Sequence, residues 1–430
     1  MSTLITLTAL IVLMLLGMPV AWSLTLAGLG GIYLITGDLK VVMGVLEVEP
    51  FRAVAHYLLS TIPTFILMAY LSSSSGLARD LYEAAAKWLS GIRGGAAIAT
   101  VFAAGIFGAM SGASTAAATV MSSVALPNMR RLGYSDVLAT GAICLGATLD
   151  ILIPPSVAMV IYGIATETSI GKLLIAGIIP GILLGALICV TIFVWVHLNP
   201  GIAPRTYAVS WRERWTSVAR IWPSLGLVLA IIAMLYLGVA TPTEVGAMGA
   251  FFAAVVGFAM RRLTWRQVLQ ALRSTALTSG MIFMIMVGAT IFGYFMSMSQ
   301  LPQQMSAFVI SSGMSRWTVI AAICLVYFVL SMFMDEAPLM LITLPISFPL
   351  IMALGFDPVW FGIVMMMMVI LGLIFPPVGL IAFVVSSTTK VDLVIVYRGC
   401  LALMLPVVVT LVLIMVFPEI ALWLPSRMKQ

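Results

Sequence analysis

Uncharged stretches of apolar residues recur along the whole chain, and they restrict the fold more than any other feature. The 430 residues are 62% hydrophobic and only 8% charged. A soluble globule cannot bury that share of apolar side chains, whereas a helix of about 20 apolar residues crosses a bilayer. The sequence lacks the alternating strands of a membrane barrel, so helices must satisfy the backbone hydrogen bonds. The sequence therefore predicts an all-α polytopic membrane protein.

Residues with metal-binding or nucleophilic chemistry are few and scattered. The four cysteines lie singly in apolar segments and the two histidines are far apart, so neither a disulfide nor a histidine metal site is expected. The sequence contains no HExxH, no GxSxG and no P-loop, which argues against an integral-membrane enzyme and against an ATP-driven pump in this chain. The first apolar segment, Ile5 to Leu16, lacks the features of a cleaved signal and is predicted to be a retained span.

The chain repeats itself at an offset of 222 residues, with a double proline and a Leu-Gly pair kept in register. The matching pairs are Pro127 and Pro349, Leu132-Gly133 and Leu354-Gly355, Val137 and Val359, Pro154-Pro155 and Pro376-Pro377, and Thr166 and Thr388. We therefore predict repeat one at residues 1–200 and repeat two at 222–430, joined by a basic linker at 201–221. The linker arginines are Arg205, Arg212, Arg214 and Arg220.

The distribution of basic residues predicts that the two repeats are inverted. If the linker is cytoplasmic, successive crossings also place Arg130, Arg131 and the basic segment 261–273 on the cytoplasmic side, as the positive-inside rule requires. The equivalent of that segment in repeat one follows Gly37, is acidic and falls outside. Segments 38–60 and 261–276 are accordingly expected to be amphipathic arms on opposite membrane faces. Inverted repeats are typical of secondary transporters.

Each repeat contains a segment that is too long for one crossing. Residues 94–129 carry no charge over 36 residues, and their middle is small and polar, from Ser111 to Ser114. A helix rises about 1.5 Å per residue, so we predict a re-entrant hairpin with its tip there. The second hairpin is predicted at 317–350, where Asp335-Glu336 aligns with the first tip. Acids at that depth should face protein, ions or water.

A double proline follows each hairpin and predicts a broken helix, at 136–168 in repeat one and 358–389 in repeat two. Proline removes a hydrogen-bond donor and leaves free carbonyls, which suit a hard cation. The next half-helix presents free N–H groups and a positive dipole end, which suit an anion. Two tips and two breaks that converge near mid-membrane would form a site for an organic anion with cations.

Several motifs resemble the large membrane subunit of TRAP transporters, the DctM family, over nearly the whole chain. In repeat one they are Ser111-Gly112-Ala113-Ser114, Leu132-Gly133-Tyr134, Leu152-Ile153-Pro154-Pro155-Ser156 and Ala176-Gly177-Ile178-Ile179-Pro180-Gly181. In repeat two they are Ala240-Thr241-Pro242-Thr243-Glu244, Asp335 and Pro376-Pro377-Val378-Gly379. The resemblance implies an elevator-type, ion-transporter-like fold and sodium-coupled import of an organic acid (dicarboxylate, sugar acid or similar carboxylate) across the bacterial inner membrane.

The resemblance also implies the partners and the site. The partners would be a small four-helix membrane subunit, a periplasmic substrate-binding protein and the lipid bilayer, with no nucleic acid and no cofactor besides coupling sodium ions. The expected substrate-binding residues are Ser111, Gly112, Ser114, Pro155, Ser156, Pro377 and Gly379. The expected sodium-binding residues are Ser111, Ser114, Asp150, Pro154, Asp335, Glu336 and Pro376.

Three positions depart from the family pattern. Asp150 stands where a small residue is expected, Phe375 where a threonine commonly precedes the second Pro-Pro, and the Met365–Met368 run replaces a stretch that often carries a polar residue. Phe375 and the methionine run lie next to the second double proline, so these departures concern the sodium-binding residues expected there. From the sequence, Asp150 fits either an ion site or a pairing with a backbone amide, and Glu336 fits either the site or contact with periplasmic water. A stand-alone sodium/dicarboxylate symporter of similar elevator architecture is the alternative function.

Overall fold

A computed structural model describes residues 2–203 and 208–428, and the predicted linker residue Arg205 lies outside them. Every regular element in these residues is helical. The helices up to the linker are α1 (Ser2–Leu15), α2 (Val20–Thr36), α3 (Leu39–Val54), α4 (Thr61–Ser74), α5 (Leu77–Trp88), α6 (Gly95–Ser111), α7 (Ser114–Arg131), α8 (Asp136–Ala147), α9 (Val157–Ala165), α10 (Ile170–Ala176) and α11 (Ile178–Leu198). Short 3-10 turns cover Tyr57–Ser60, Thr148–Ile151 and Pro200–Ile202.

The second half of the chain continues the same series. Its helices are α12 (Trp211–Tyr236), α13 (Pro242–Ala259), α14 (Trp265–Ser299), α15 (Leu301–Ser311), α16 (Arg316–Ser331), α17 (Glu336–Ala353), α18 (Pro358–Leu373), α19 (Leu380–Thr389), α20 (Leu393–Ala402), α21 (Leu405–Val416) and α22 (Glu419–Ser426). By length and composition, six helices of the described part could cross a membrane, or seven if the bent pair α20–α21 forms one span. The predicted all-α polytopic fold is confirmed.

The order of helices repeats with the offset found in the sequence. The starts of α2 and α13, of α7 and α17, and of α8 and α18 are each 222 residues apart. All of these helices except α7, which follows Ala113, start after a polar cap or a proline, and such residues fix where a helix can begin. The internal match in the sequence therefore corresponds to a match in secondary structure, helix by helix.

The two repeats differ in the segment that precedes the predicted hairpin of each repeat. In repeat one, α3 and α4 are separate, and α3 contains Pro50. In repeat two, α14 runs for 35 residues and contains no proline. The arm predicted at 261–276 is therefore continuous with a longer helix from Trp265 onward, and its position on a membrane face stays a prediction. Proline removes a backbone donor and disfavours such continuity in repeat one.

The basic segment after repeat one is only partly a linker. A capping box starts α12 at its first turn: Ser210 N–H donates to Glu213 Oε2 at 3.0 Å, and Glu213 N–H donates to Ser210 Oγ at 3.3 Å. Reciprocal bonds of this kind satisfy two free amides and start a helix. The expected linker 201–221 is therefore helical from Trp211 onward, and its later arginines belong to the first turns of α12.

The two repeats pack against each other through α8 and α20. A Cβ atom added at Gly399 would lie 2.1 Å from the carbonyl oxygen of Val137, and one added at Gly141 would lie 2.6 Å from the carbonyl oxygen of Gly399. Only glycine permits this backbone approach, as in other close helix crossings in membranes. Nearby, Tyr162 on α9 donates its hydroxyl to the carbonyl of Pro358 at 2.7 Å.

We expect Gly399→Ala to destabilise the protein by about 1–3 kcal/mol, the usual cost of overpacking. The added methyl would force α8 and α20 apart. The measurement is thermal unfolding in detergent. Gly293→Ala is the matched control, because Gly293 is also helical and has no atom within 4 Å of its would-be Cβ. Equal melting temperatures for the two variants would show that the close approach is not needed.

Candidate functional site

The first predicted hairpin tip contacts the first helix break. α6 ends at Ser111 and α7 begins at Ser114, and Gly112 between them has φ of +57°. A Cβ at Gly112 would lie 3.1 Å from Val157 Cγ2 and 3.7 Å from the carbonyl oxygen of Pro155. Glycine is therefore required at the tip for both its positive φ and its closeness to the break. The predicted residues Ser111, Gly112, Ser114 and Pro155 do come together.

Asp150 contacts the same hairpin tip through Ser114. It lies in the 3-10 turn just before the double proline, is 2% exposed, and accepts a hydrogen bond from Ser114 Oγ at 2.6 Å. A Cβ on Gly108 would lie 2.6 Å from Asp150 Cβ, so α6 leaves little free room there. Asp150 therefore pairs with the hydroxyl of the hairpin tip and also with backbone amides of its own turn, and these bonds are compatible with both sequence interpretations.

Asp335 and Glu336, the two acids of the second predicted tip, have different surroundings. Asp335 is the N-cap of α17 and accepts the N–H of Glu336 at 2.9 Å. Glu336 is 9% exposed, and its buried Oε2 has no hydrogen-bond partner among the described residues. Little of Glu336 is therefore exposed in this conformation. Its carboxyl also interacts with that of the neighbouring Asp335, so the two acids form a pair at the second tip.

Three carboxylates lie at the tips and breaks of the two repeats: Asp150 just before the first double proline, and Asp335 and Glu336 at the second tip. These regions are neighbours, because α17 packs against α9. Acids in such an interior are tolerated as neutral carboxylic acids or beside a cation. In the described residues no three His, Cys, Asp or Glu side chains are arranged as a metal site, so a bound cation would also need hydroxyl or backbone oxygens.

The second tip is tied to the second break by the backbone. Gly379 N–H donates to the carbonyl of Met332 at 3.1 Å, and Gly379 has φ of +50°. Tyr397 on α20 donates its hydroxyl to the carbonyls of Pro377 and Val378 at 2.8 and 2.7 Å. The carbonyl of Pro377 is therefore not free, contrary to the expectation for the breaks. Sequence reasoning missed Tyr397, because no local pattern links it to a proline pair 20 residues earlier.

After the first break, helix α9 begins within the site. Ser156 is the N-cap of α9 and accepts the N–H of Met159 at 3.4 Å. Pro154-Pro155 and Pro376-Pro377 are both cis. Because α9 begins inside the buried region, its first N–H groups form a positive end toward the tip at Gly112. The predicted residue Ser156 thus lies at the break, where it caps the helix.

Apolar side chains fill the second break where the family pattern has polar ones. The Phe375 ring packs edge-on against Phe328, with centroids 5.0 Å apart. The side chains of Met365–Met368 are buried. Hydroxyl groups are nevertheless present at this break, because Ser331 Oγ donates to the carbonyl of Met368 at 3.3 Å and Tyr397 bonds to the carbonyl of Pro377. The charged groups of the site lie at the first break and at the second tip.

Helical spans, paired hairpin-like tips and broken helices that meet at buried polar groups define a membrane transport protein. The family model described as "Tripartite ATP-independent periplasmic transporter, DctM component" matches residues 7–420, and the chain belongs to this family. It is the large permease subunit of a TRAP transporter, as the resemblance predicted. The named relatives are transporter permeases and not enzymes.

Relatives with different named substrates are similar to this chain. The C4-dicarboxylate TRAP transporter large permease of Pseudomonas aeruginosa is 36% identical over 384 residues, which is 89% of each chain. The ectoine TRAP transporter large permease of Halomonas elongata is 31% identical and covers 98% of each. The sialic acid large permease of Vibrio cholerae is 29% identical and covers 95% of each.

Solved structures support the fold. The Alcanivorax borkumensis YdaH transporter superposes with a TM-score of 0.60, at 14% identity, covering 90% of this chain and 88% of that one. Neisseria gonorrhoeae MtrF superposes with a TM-score of 0.58, at 13% identity, covering 87% and 84%. At this identity the likeness concerns the fold alone.

A double-mutant cycle should detect the bond between the tip and the break. Ser114→Ala and Asp150→Ala are expected to couple by about 0.5–3 kcal/mol in unfolding free energy, since either change removes the same hydrogen bond. Ser114→Ala with Asp136→Ala is the control cycle, because Asp136 pairs with Arg130 at 2.8 Å and should be additive with Ser114. Additivity in both cycles would mean that the Ser114–Asp150 contact contributes nothing.

Proposed function

We propose that this permease subunit imports a small organic acid across the bacterial inner membrane by sodium-coupled, elevator-type movement. The observation that carries the proposal is that each hairpin packs on the broken helix of the other repeat: α7 contacts α19, α17 contacts α9, and Ser114 at the first tip bonds to Asp150. Tips and breaks from two repeats at a buried polar site are the arrangement in which transporters bind substrate and coupling ions.

The coupling ion is expected to lie where negative charge and oxygen atoms are densest. Ser111, Ser114 and Asp335, with Asp150 and Glu336, supply hydroxyl and carboxylate oxygens from both repeats. A hard monovalent cation suits such ligands and offsets the repulsion among the acids. Pro154 and Pro376 contribute only through the backbone of their breaks. The substrate carboxylate is expected at the start of α9 or α19, beside Ser156 and Gly379.

The partners and substrate class follow from the family and its relatives. Tripartite transporters of this family imply a small membrane subunit and a periplasmic binding protein. The relatives are named for C4-dicarboxylates, ectoine and sialic acid, all of which carry a carboxylate. A carboxylate is therefore the shared chemistry that we expect for the substrate of this chain. A stand-alone sodium/dicarboxylate symporter stays the alternative.

We expect no sodium-driven uptake by this chain alone in proteoliposomes, and uptake after the small membrane subunit and the binding protein encoded with it are added. The reason is that the tripartite system delivers substrate through the binding protein. The measurement is accumulation of labelled carboxylates under an inward sodium gradient. Robust uptake by the single subunit would favour the stand-alone symporter instead.

Asp335→Asn in the assembled complex should raise the sodium concentration needed for half-maximal uptake by about tenfold or more. The substitution removes one charge at the tip and keeps the side-chain shape. Asp357→Asn is the matched control, because Asp357 is the N-cap of α18 as Asp335 is of α17. If both variants keep the wild-type sodium dependence, Asp335 is a cap and no ion ligand.

Inverted repeats should place the bases of the two hairpins on opposite faces of the membrane. Single cysteines at the exposed positions Arg131 and Ser312, in a background without the native cysteines, test this. An impermeant thiol reagent should label Arg131→Cys only from the cytoplasm and Ser312→Cys only from the periplasm. Labelling of both from one side would refute the inverted arrangement.

A further inference from the structure

Two short helices connect the long helices of the repeats to the predicted hairpins. α5 joins α4 to the first hairpin, and α15 joins α14 to the second. Each follows a residue with positive φ, which is Gly76 at +70° before α5 and Gln300 at +53° before α15. We call α5 and α15 the connector helices, and α1 to α4 with α12 to α14 the scaffold, whose halves pack together through α4 with α13 and α2 with α14.

The first connector helix, α5, is fixed to the scaffold at both of its ends. Near its start, both terminal nitrogens of Arg262 donate to the carboxylate of Asp80, whose side chain is 8% exposed. Arg262 lies in the turn between α13 and α14. Near the end of α5, the Trp88 ring packs edge-on against Trp211 and Trp215 of α12, with centroids 6.3 and 5.7 Å apart. An ion pair and an aromatic cluster therefore hold α5 against the second half of the scaffold.

The second connector helix, α15, has different surroundings. It packs on α17 of its own hairpin, where Val309, Val319 and Leu350 form an apolar cluster that is separate from the main core. A cavity of about 1130 Å³, lined by α1, α15, α16 and α17, lies between this assembly and the scaffold helix α1. Gln304 lines the cavity at the place that Asp80 has in α5, four residues after the positive φ, and it has no charge with which to form the same ion pair. α15 is therefore attached to the second hairpin, with open space towards α1.

The contacts on the two sides of α5 differ in what it costs to break them. α5 also packs on α6 and α7 of the first hairpin, and Asn128 donates to the hydroxyl of Tyr82 at 2.8 Å. A movement of the hairpin against the scaffold must break contacts on one of these sides. Apolar contacts between helices can re-form one turn further along, whereas Asp80 without Arg262 would keep a buried and unpaired charge. The ion pair therefore favours a connector that stays with the scaffold.

We propose that Asp80 and Arg262 are positioning residues that keep α5 on the scaffold during transport, whereas α15 moves together with the second hairpin. The inference rests on the proposed function and specifies how its movement is divided between the repeats. The bend in repeat one then lies after α5, in the turn that ends at Gly94, and the bend in repeat two lies before α15, at Gln300. The cavity beside α1 gives α15 and its hairpin room to move.

The first test measures distances in the complete complex in lipid nanodiscs, in sodium chloride and in choline chloride. Pairs of spin labels on introduced cysteines, without the native cysteines, join Leu269 on α14 to Glu83 on α5, Ser311 on α15 or Ser123 on α7, all of which are exposed. The α5 pair should keep one distance, whereas the distances of the α15 and α7 pairs should change with the salt. If the α7 pair changes and either α5 changes with it or α15 stays constant, this inference is overturned and the proposed function is intact. A constant α7 pair would count against both.

The second test breaks the ion pair. Asp80→Asn should lower the maximal uptake rate by about threefold or more, leave KM and the sodium dependence unchanged, and add a second distance to the α5 pair. Exchanging the charges, with Asp80→Arg and Arg262→Asp together, should restore the rate and the single distance. Asp136→Asn is the matched control, because it removes the ion pair with Arg130 without touching a connector helix. A single α5 distance in Asp80→Asn, or a loss of rate equal to that of the control, would overturn the assignment.

Discussion

Burial of carboxylates inside a membrane protein is the constraint on which the arrangement of the site depends. Asp150 before the first break and Glu336 at the second tip are both buried, and each is expensive to bury unless something satisfies it. The hydroxyl of Ser114 satisfies part of Asp150 and thereby ties the first tip to the first break. The position of these two elements relative to each other therefore depends on this buried acid.

Backbone contacts keep the rest of this arrangement closely packed. Gly399 and Gly141 let α8 and α20 touch across the repeats, and the hydroxyl of Tyr162 reaches the carbonyl of Pro358. On the second side, the amide of Gly379 bonds to the tip at Met332. The Gly379 bond joins a tip to a break, and the other contacts join helices of the two repeats. A displacement of one of these elements would therefore disturb its neighbour as well.

The secondary structure could largely be predicted from the sequence, but the contacts of the site could not. Helix starts at Ser114 and Glu336 follow from capping and small polar residues, and the breaks follow from the double prolines, since these signals are local. The bond from Ser114 to Asp150 joins residues 36 positions apart, and that from Tyr397 to Pro377 depends on how α20 packs. Neither has a local signature. The arginines of α12 predict a linker, whereas the capping box at Ser210 starts a helix in that segment.

The two breaks differ in the groups that surround them. At the second break, Phe375 packs on Phe328, the methionine run is buried, and the hydroxyls of Ser331 and Tyr397 bond to backbone carbonyls. At the first break, Asp150 supplies a buried carboxyl that accepts the hydroxyl of Ser114. An ionisable acceptor can select a ligand by the sign of its charge, whereas a neutral oxygen does not, so the two breaks offer different chemistry to a ligand.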